Sequence, residues 1–166
     1  SNITSVGKSN SAEMDATIGY TTALPLSATL APTLDVGYIR YGYFGTGDSA
    51  PGNNQPDYNE VFGKLTFADS IVKGDSLASS VTYSNEYFNH SDQFWNVNAS
   101  YTAPIADTGF GLVGSVGYNK FKDKAMMAQA VGGDGSDDNY IDYKAGVTFG
   151  VQSLVAELSA VGTNVS

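Results

Sequence analysis

Residues 140–151, YIDYKAGVTFGV, decide how the chain is read. From Ile141 onward an apolar side chain falls on every second residue: Ile141, Tyr143, Ala145, Val147, Phe149 and Val151. Asp142, Lys144, Gly146 and Thr148 occupy the places between. A period of two sends successive side chains to opposite faces of an extended strand. Wound as a helix, the same residues would scatter charge and hydrocarbon on every side, so the segment reads as a strand with two unlike faces.

Outward from this stretch the same rhythm recurs. Residues 94–104, FWNVNASYTAP, set Trp95, Val97, Ala99 and Tyr101 against Asn96, Asn98 and Ser100. Residues 14–24 set Met14, Ala16, Ile18, Tyr20 and Leu24 against Asp15, Thr17, Gly19 and Thr21. In residues 58–67, Val61, Leu65 and Phe67 oppose Glu60, Lys64 and Thr66. In residues 77–88, Leu77, Val81, Tyr83 and Tyr87 oppose Thr82, Ser84 and Glu86. Runs at 34–44, 110–121 and 154–162 bring the total to eight. The expectation is an all-β fold, an antiparallel up-and-down meander of about eight strands making one β-barrel domain over residues 1–166.

Composition agrees and narrows the function. The chain has 19 glycines and 11 tyrosines, no cysteine and one histidine, which suits strands and turns. A net charge of -9 makes nucleic acid a poor partner, because phosphates would be repelled. No run of apolar residues is long enough for a transmembrane helix, and any leader peptide is expected to have been removed.

The links between runs sort by length. Antiparallel neighbours place alternate links at opposite ends of a sheet. The long links, 45–57 and 122–139, share one end with the short link 89–92, while 25–33, 68–76, 103–109 and 152–153 share the other. Short turns at one rim and long loops at the opposite rim are the habit of outer-membrane barrels, whose apolar face meets lipid and whose polar face lines the interior. Tyrosines near strand ends, Tyr20, Tyr38, Tyr43, Tyr58, Tyr87, Tyr101, Tyr118 and Tyr140, suit an aromatic belt. The candidate lumen-lining residues are then Asp15, Glu60, Lys64, Glu86, Asn96, Asn98, Asp142, Lys144 and Glu157. They make an acidic interior that favours cations. Arg40 is expected to point inward, with Ile39, Tyr41 and Tyr43 outward and Asp35 near a rim, since an arginine facing lipid at the midplane costs about 2–4 kcal/mol.

Several segments together resemble a known family. They are SAEMDATIGY, LDVGYIRYGYFG, YNEVFGKLTF with Tyr58 and Glu60, VTYSNEYF, YTAPIADTGFGLVGSVGYNKF with Pro104 and the Gly117–Tyr118 pair, YIDYKAGVTF, and LVAELSAVGTN with Gly162 and Thr163. Their order and spacing resemble the TorF-type porins, an outer-membrane family also catalogued as Gcw-chp. The resemblance implies a bacterial outer-membrane β-barrel giving passive passage to small solutes, with outer-membrane lipid as its surroundings and no assigned catalytic residues. Members of the family are longer at both ends, so the expected parent has about twelve strands. The portion in hand is expected either to close as an eight-stranded barrel or to stay open, with edge strands that invite other copies of itself.

Little else carries chemistry. His90 has no second histidine or cysteine for a metal site or a nucleophilic triad. Asp134, Asp137 and Asp138 lack the spacing of a calcium loop. Met126 and Met127 suggest a helical turn packed within the long loop. No catalytic, cofactor-binding or metal-binding residue is assigned, and an enzyme is not expected. Besides the pore, two readings stand: a structural subunit that self-associates through edge strands, and a soluble extracellular β-domain that binds a ligand.

Overall fold

The computed structural model describes residues 3–5, 8–26, 31–45, 57–88, 91–106, 108–151 and 153–165. Strands β1 (Ile3–Ser5), β2 (Lys8–Ala23), β3 (Thr33–Gly45), β4 (Tyr58–Ala68), β5 (Ser76–Ser84), β6 (Phe94–Pro104), β7 (Phe110–Phe121), β8 (Asn139–Val151) and β9 (Leu154–Thr163) form one sheet in sequence order. Every neighbouring pair is antiparallel. The meander is the expected one, and β6 and β7 begin and end where the sequence pattern does.

Three features bear on the expectation: one adds a strand, one extends the helical turn read at Met126 and Met127, and one selects the open sheet over the closed barrel. The short β1 pairs with β2 and makes the count nine. A helix, α1 (Lys124–Val131), interrupts the link between β7 and β8. It starts where the Asp123 side chain accepts from the Met126 N–H and stops at Gly132, whose φ of 83° an L side chain rarely adopts. Finally, the sheet is open: among the described residues β9 pairs with β8 and does not return to β1 or β2, so the eight-strand closed barrel is not formed. His90 and most of the long link at 45–57 lie outside the described residues.

Register fixes which residues share a face. Asp35 lies opposite both Thr21 and Lys64, Lys64 opposite Ser80, Ser80 opposite Asn98, Asn98 opposite Gly117, and Gly117 opposite Asp142. This polar row continues strand after strand. The other face carries Ile18, Tyr38, Val61, Tyr83, Val97, Tyr118, Tyr143 and Val147, whose cross-strand partners are apolar, aromatic or small residues. A one-residue slip anywhere would invert the sorting.

The apolar face is the exposed one. Along β8, Ile141, Tyr143, Ala145, Val147, Phe149 and Val151 are exposed, while Asp142, Lys144, Gly146, Thr148 and Gly150 between them are half-buried. β6 repeats the inversion, with exposed Trp95, Val97 and Ala99 alternating with half-buried Asn96, Asn98 and Ser100. A flat sheet would expose both faces alike, so the sheet curls with its polar face inside. The accessible surface, 10478 Å², exceeds the roughly 7,900 Å² expected of a compact water-soluble protein of this 17.4 kDa mass.

One expected orientation is reversed. Arg40 pairs with Ala16 and Asn59 and shares the outer face with Tyr38, whereas Ile39 and Tyr41 pair with Thr17, Glu60, Asp15 and Tyr58 on the inner face. The cause is Asp35, which lies directly opposite Lys64 and accepts from Thr21 Oγ1 at 2.5 Å, and so sets the parity of β3. Arg40 is accommodated near the loop rim. Its guanidinium donates to Asp57 Oδ2 at 2.9 Å and to Asn59 Oδ1 at 3.0 Å, and Asn59 also accepts from Tyr38 Oη at 2.6 Å.

The turn between β4 and β5 is closed by one carboxylate. Asp75, only 3% exposed, accepts from the N–H groups of Ser70, Ile71 and Val72 and from Tyr101 Oη. Burial alone would raise its pKa, but the donors of Val72, Tyr101, Ile71 and Ser70 outweigh it and hold the carboxyl well below the usual range. With a folded value below the unfolded one, the stability this group contributes is complete above the unfolded value, about pH 4, and is lost as pH falls further. The stability difference between wild type and Asp75→Asn should therefore be constant from neutral pH to pH 5 and shrink below about pH 4. Denaturant titrations at several pH values check this, and a difference that grew on acidification would refute it.

Two glycines give a second test. A Cβ on Gly37 would lie 2.6 Å from the Phe62 ring and 2.9 Å from the Ile18 carbonyl oxygen, whereas a Cβ on Gly63 would meet nothing within 4 Å. Gly37→Val should cost about 1–3 kcal/mol by overpacking. Gly63→Val should be neutral or stabilising, and urea unfolding curves that rank the two the other way would contradict this packing.

Candidate functional site: the polar inner face

The inner face gathers eight of the nine lumen residues proposed from sequence. Asp15 stands on β2, Glu60 and Lys64 on β4, Asn96 and Asn98 on β6, Asp142 and Lys144 on β8, and Glu157 on β9. Glu86 is the exception. β5 ends at Ser84, and Glu86 lies exposed in the bend beyond it, because the chain turns there to bring Tyr87 against Phe94. The sequence missed Asp35, Phe62 and Asn119, which also face inward. Asn119 was legible in the alternation of Gly117, Tyr118 and Asn119, and Phe62 in its even spacing from Glu60 and Lys64.

Across the middle of this face the polar groups are linked rather than isolated. Asn96 Nδ2 donates to Asn119 Oδ1 at 2.9 Å, and Asn119 Nδ2 donates to Asp142 Oδ2 at 2.5 Å, so one chain of amides and a carboxylate crosses β6, β7 and β8. Gly117 makes room for it, since a Cβ there would lie 2.5 Å from Asp142 Oδ2. Lys144 Nζ donates to Glu157 Oε1 at 3.0 Å, binding β8 to β9. Tyr41 Oη donates to Glu60 Oε2 at 3.3 Å. Carboxylates of Asp15, Asp35, Glu60, Asp142 and Glu157 against the cations of Lys64 and Lys144 leave the face acidic.

At the long-loop rim the same face changes character. Tyr41 stacks on Tyr58 at 4.4 Å between centroids, Tyr58 meets Tyr87 edge-on at 4.9 Å, Tyr87 stacks on Phe94 at 4.0 Å, and Phe94 meets Phe121 at 5.0 Å. Tyr140 continues the row beyond Phe121. Met127 of α1 sits on Phe94 and Phe121, and these three, with exposures of 3%, 4% and 1%, form the buried core. Tyr58, Tyr87 and Tyr140, expected in an outward belt, thus belong to an inward collar. The outer face has rings of its own: Tyr38, Tyr83, Trp95, Tyr118 and Tyr143 toward the loop rim, and Tyr20, Phe67, Tyr101, Phe110 and Phe149 toward the turn rim.

The acidic loop is structural where it can be seen. Asp138 pairs with Lys120, and Asp134 accepts from the Ser136 N–H at 2.8 Å. Among the described residues no group of three or more histidine, aspartate or glutamate side chains is placed to hold a metal ion.

Fold and face together define an open antiparallel meander whose polar side is half-buried or buried along β6 to β8 and whose apolar side is bare. The chain belongs to the Gcw_chp family, described as bacterial protein of unknown function, which matches residues 1–166. No curated protein and no solved structure matches it.

The linked amides yield a prediction. Asn119 is 3% exposed, and Asn119→Leu strands both the Asn96 amide and the Asp142 carboxylate. The loss should be about 1–3 kcal/mol, read from the shift in unfolding midpoint followed by Trp95 fluorescence. An unchanged midpoint would mean that water already serves these groups.

Proposed function

We propose that the chain is the wall of an outer-membrane pore that passes small hydrophilic solutes, with some preference for cations. The observation that carries this reading is the inversion of the faces: along β6, β7 and β8 the more buried side is mostly polar or small, and the exposed side is hydrocarbon. In water such a face would be a large association surface. In a bilayer it is the lipid-facing band of a barrel. The outer aromatic rings support the same surroundings. Tyr118 and Phe110 lie eight residues apart on β7, about 20 Å along the normal for a strand tilted by about 40°. The solute path would run along the inner face, where Asp142, Glu60 and Glu157 attract cations and Lys64 and Lys144 temper that attraction.

A second reading, self-association through edge strands, is favoured by β9. Leu154, Val155, Leu158 and Val161 are 70–78% exposed, so both faces of this strand and its outer edge want a neighbour. A ring of copies and a completed single barrel would satisfy that edge equally well. A soluble ligand-binding domain is disfavoured, since it would leave the whole apolar face in water.

The refolded chain should give discrete conductance steps in planar bilayers, with a reversal potential in a KCl gradient displaced toward potassium. Glu60→Gln combined with Asp142→Asn should move that potential toward chloride. Absence of any steps from the wild type and from variants of its long loop, in material that inserts and resists protease, would end the pore reading. Electron micrographs showing rings or fibres in that case would transfer support to the second.

A further inference from the structure

The bulkiest buried side chains of the sheet are not spread along the inner face. They are concentrated at one level. Phe94, Phe121 and Met127, with Tyr87 and Tyr140 packed against them, all lie at the long-loop end. Below them the same face carries Ile39, Phe62 and Val113 singly among small or polar groups such as Ala78, Ser80, Asn98, Ser115 and Gly146. An inner face that gathers into a buried ring cluster at one rim and is mixed beneath it describes a lumen narrowed at its loop mouth.

The element that completes the narrowing is α1, and the way it is held differs at its two ends. On its N-terminal side the loop base is clamped. Lys122 Nζ reaches Asp92 Oδ2 at 2.6 Å and the Lys122 N–H donates to the Gln93 carbonyl, while the far base of the loop returns to β7 only at Asp138, whose carbonyl accepts from the Phe121 N–H. On its C-terminal side Gly132 and Gly133 follow with φ of 83° and 106°, backbone that glycine adopts without strain and from which it can rotate at low cost. The helix itself has eight residues and one fully buried side chain, Met127, far too little to stand alone. It is in place because Met127, with Met126 and Ala130 partly buried beside it, is seated on the aromatic rings.

We infer that α1 is a lid: a short helix, anchored at the Lys122–Asp92 clamp and seated by Met127 on the aromatic collar, that occludes the loop mouth of the lumen and must unseat for solute to pass. The inference rests on the pore reading. A hydrophobic constriction of this kind blocks ions by excluding water, so modest outward movement is enough to open it.

The test compares wild type with two variants in planar bilayers. Met127→Ser removes the seat and leaves the loop intact, and replacement of residues 124–131 by a glycine-serine segment of equal length removes the lid. Either change should raise the mean current per inserted protein by at least about twofold, through larger steps or longer openings, and the segment replacement should do so at least as strongly. Steps seen only in the variants would support a lid closed at rest. Equal currents in all three proteins would overturn the lid while leaving the pore standing. Silence from all three would remove the pore, and the lid with it.

Discussion

A single uninterrupted antiparallel register holds this molecule together, and nearly everything else is a consequence of it. Among the described residues only α1 packs on the sheet, at one rim, where Phe94, Phe121 and Met127 form a small buried cluster. The backbone ladders from β2 to β9 therefore carry cohesion that a soluble domain would obtain from a packed interior. Such a sheet tolerates little ambiguity of pairing. Side-chain fit pins the alignment at several points: Phe62 lies over Gly37, the Asp142 carboxylate over Gly117, and the Tyr143 ring over Gly162. In each pair the glycine supplies space that the partner fills, so a slipped register would force large groups together in one place and leave voids in another.

With the register fixed, solvent preference decides what the sheet is for. Apolar area in water costs roughly 25 cal/mol per Å², and the outer face presents Ile18, Val97, Leu112, Val116, Tyr143 and Leu158 with exposures of 46–78%. The proposed bilayer setting would remove that cost, and it fits the gathering of amides and carboxylates on the other side, where they bond to one another across β6, β7 and β8. The position of Arg40 follows the same logic. On the outer face, a charge is tolerable only where it can reach polar partners, and Asp57 and Asn59 hold it near the rim.

Much of this was legible in the chain because period-two patterning is a local property. The strands of β6, β7 and β8 could be bounded to within a residue, and the polar set Asn96, Asn98, Asp142 and Lys144 followed directly from alternation. What could not be read is what depends on neighbours. β3 offers aromatic or apolar residues at both parities, so alternation within it is silent, and only the cross-strand partners Lys64 and Thr21 show that Asp35 faces inward and Arg40 outward. Glu86 was assigned to a strand because Tyr83, Tyr87 and Leu77 share a parity. The chain instead bends after Ser84, drawn by the stacking of Tyr87 on Phe94. The collar was hidden for the same reason. Tyrosine near a strand end suits an interfacial belt or an inner cluster equally, and Tyr58 and Tyr140 are told apart from Tyr38 and Tyr118 only by register.

The two rims are built on opposite principles, and that asymmetry gives the molecule a direction. At the turn rim, Asp75 ties three consecutive backbone N–H groups and the Tyr101 hydroxyl into one knot, with hydrogen bonds on every side of a carboxylate that stays charged far into acid. Directional bonds of this kind hold one geometry. At the loop rim, cohesion comes from rings and a methionine, contacts that are adaptable and lose little when one member shifts. A helix seated on such a surface by Met127 and its partly buried neighbours Met126 and Ala130 can leave without unravelling the strands beneath it, because the ladders from β6 to β8 do not pass through α1. Rigidity at one end and compliance at the other is what a wall needs if its mouth is to change while its register does not.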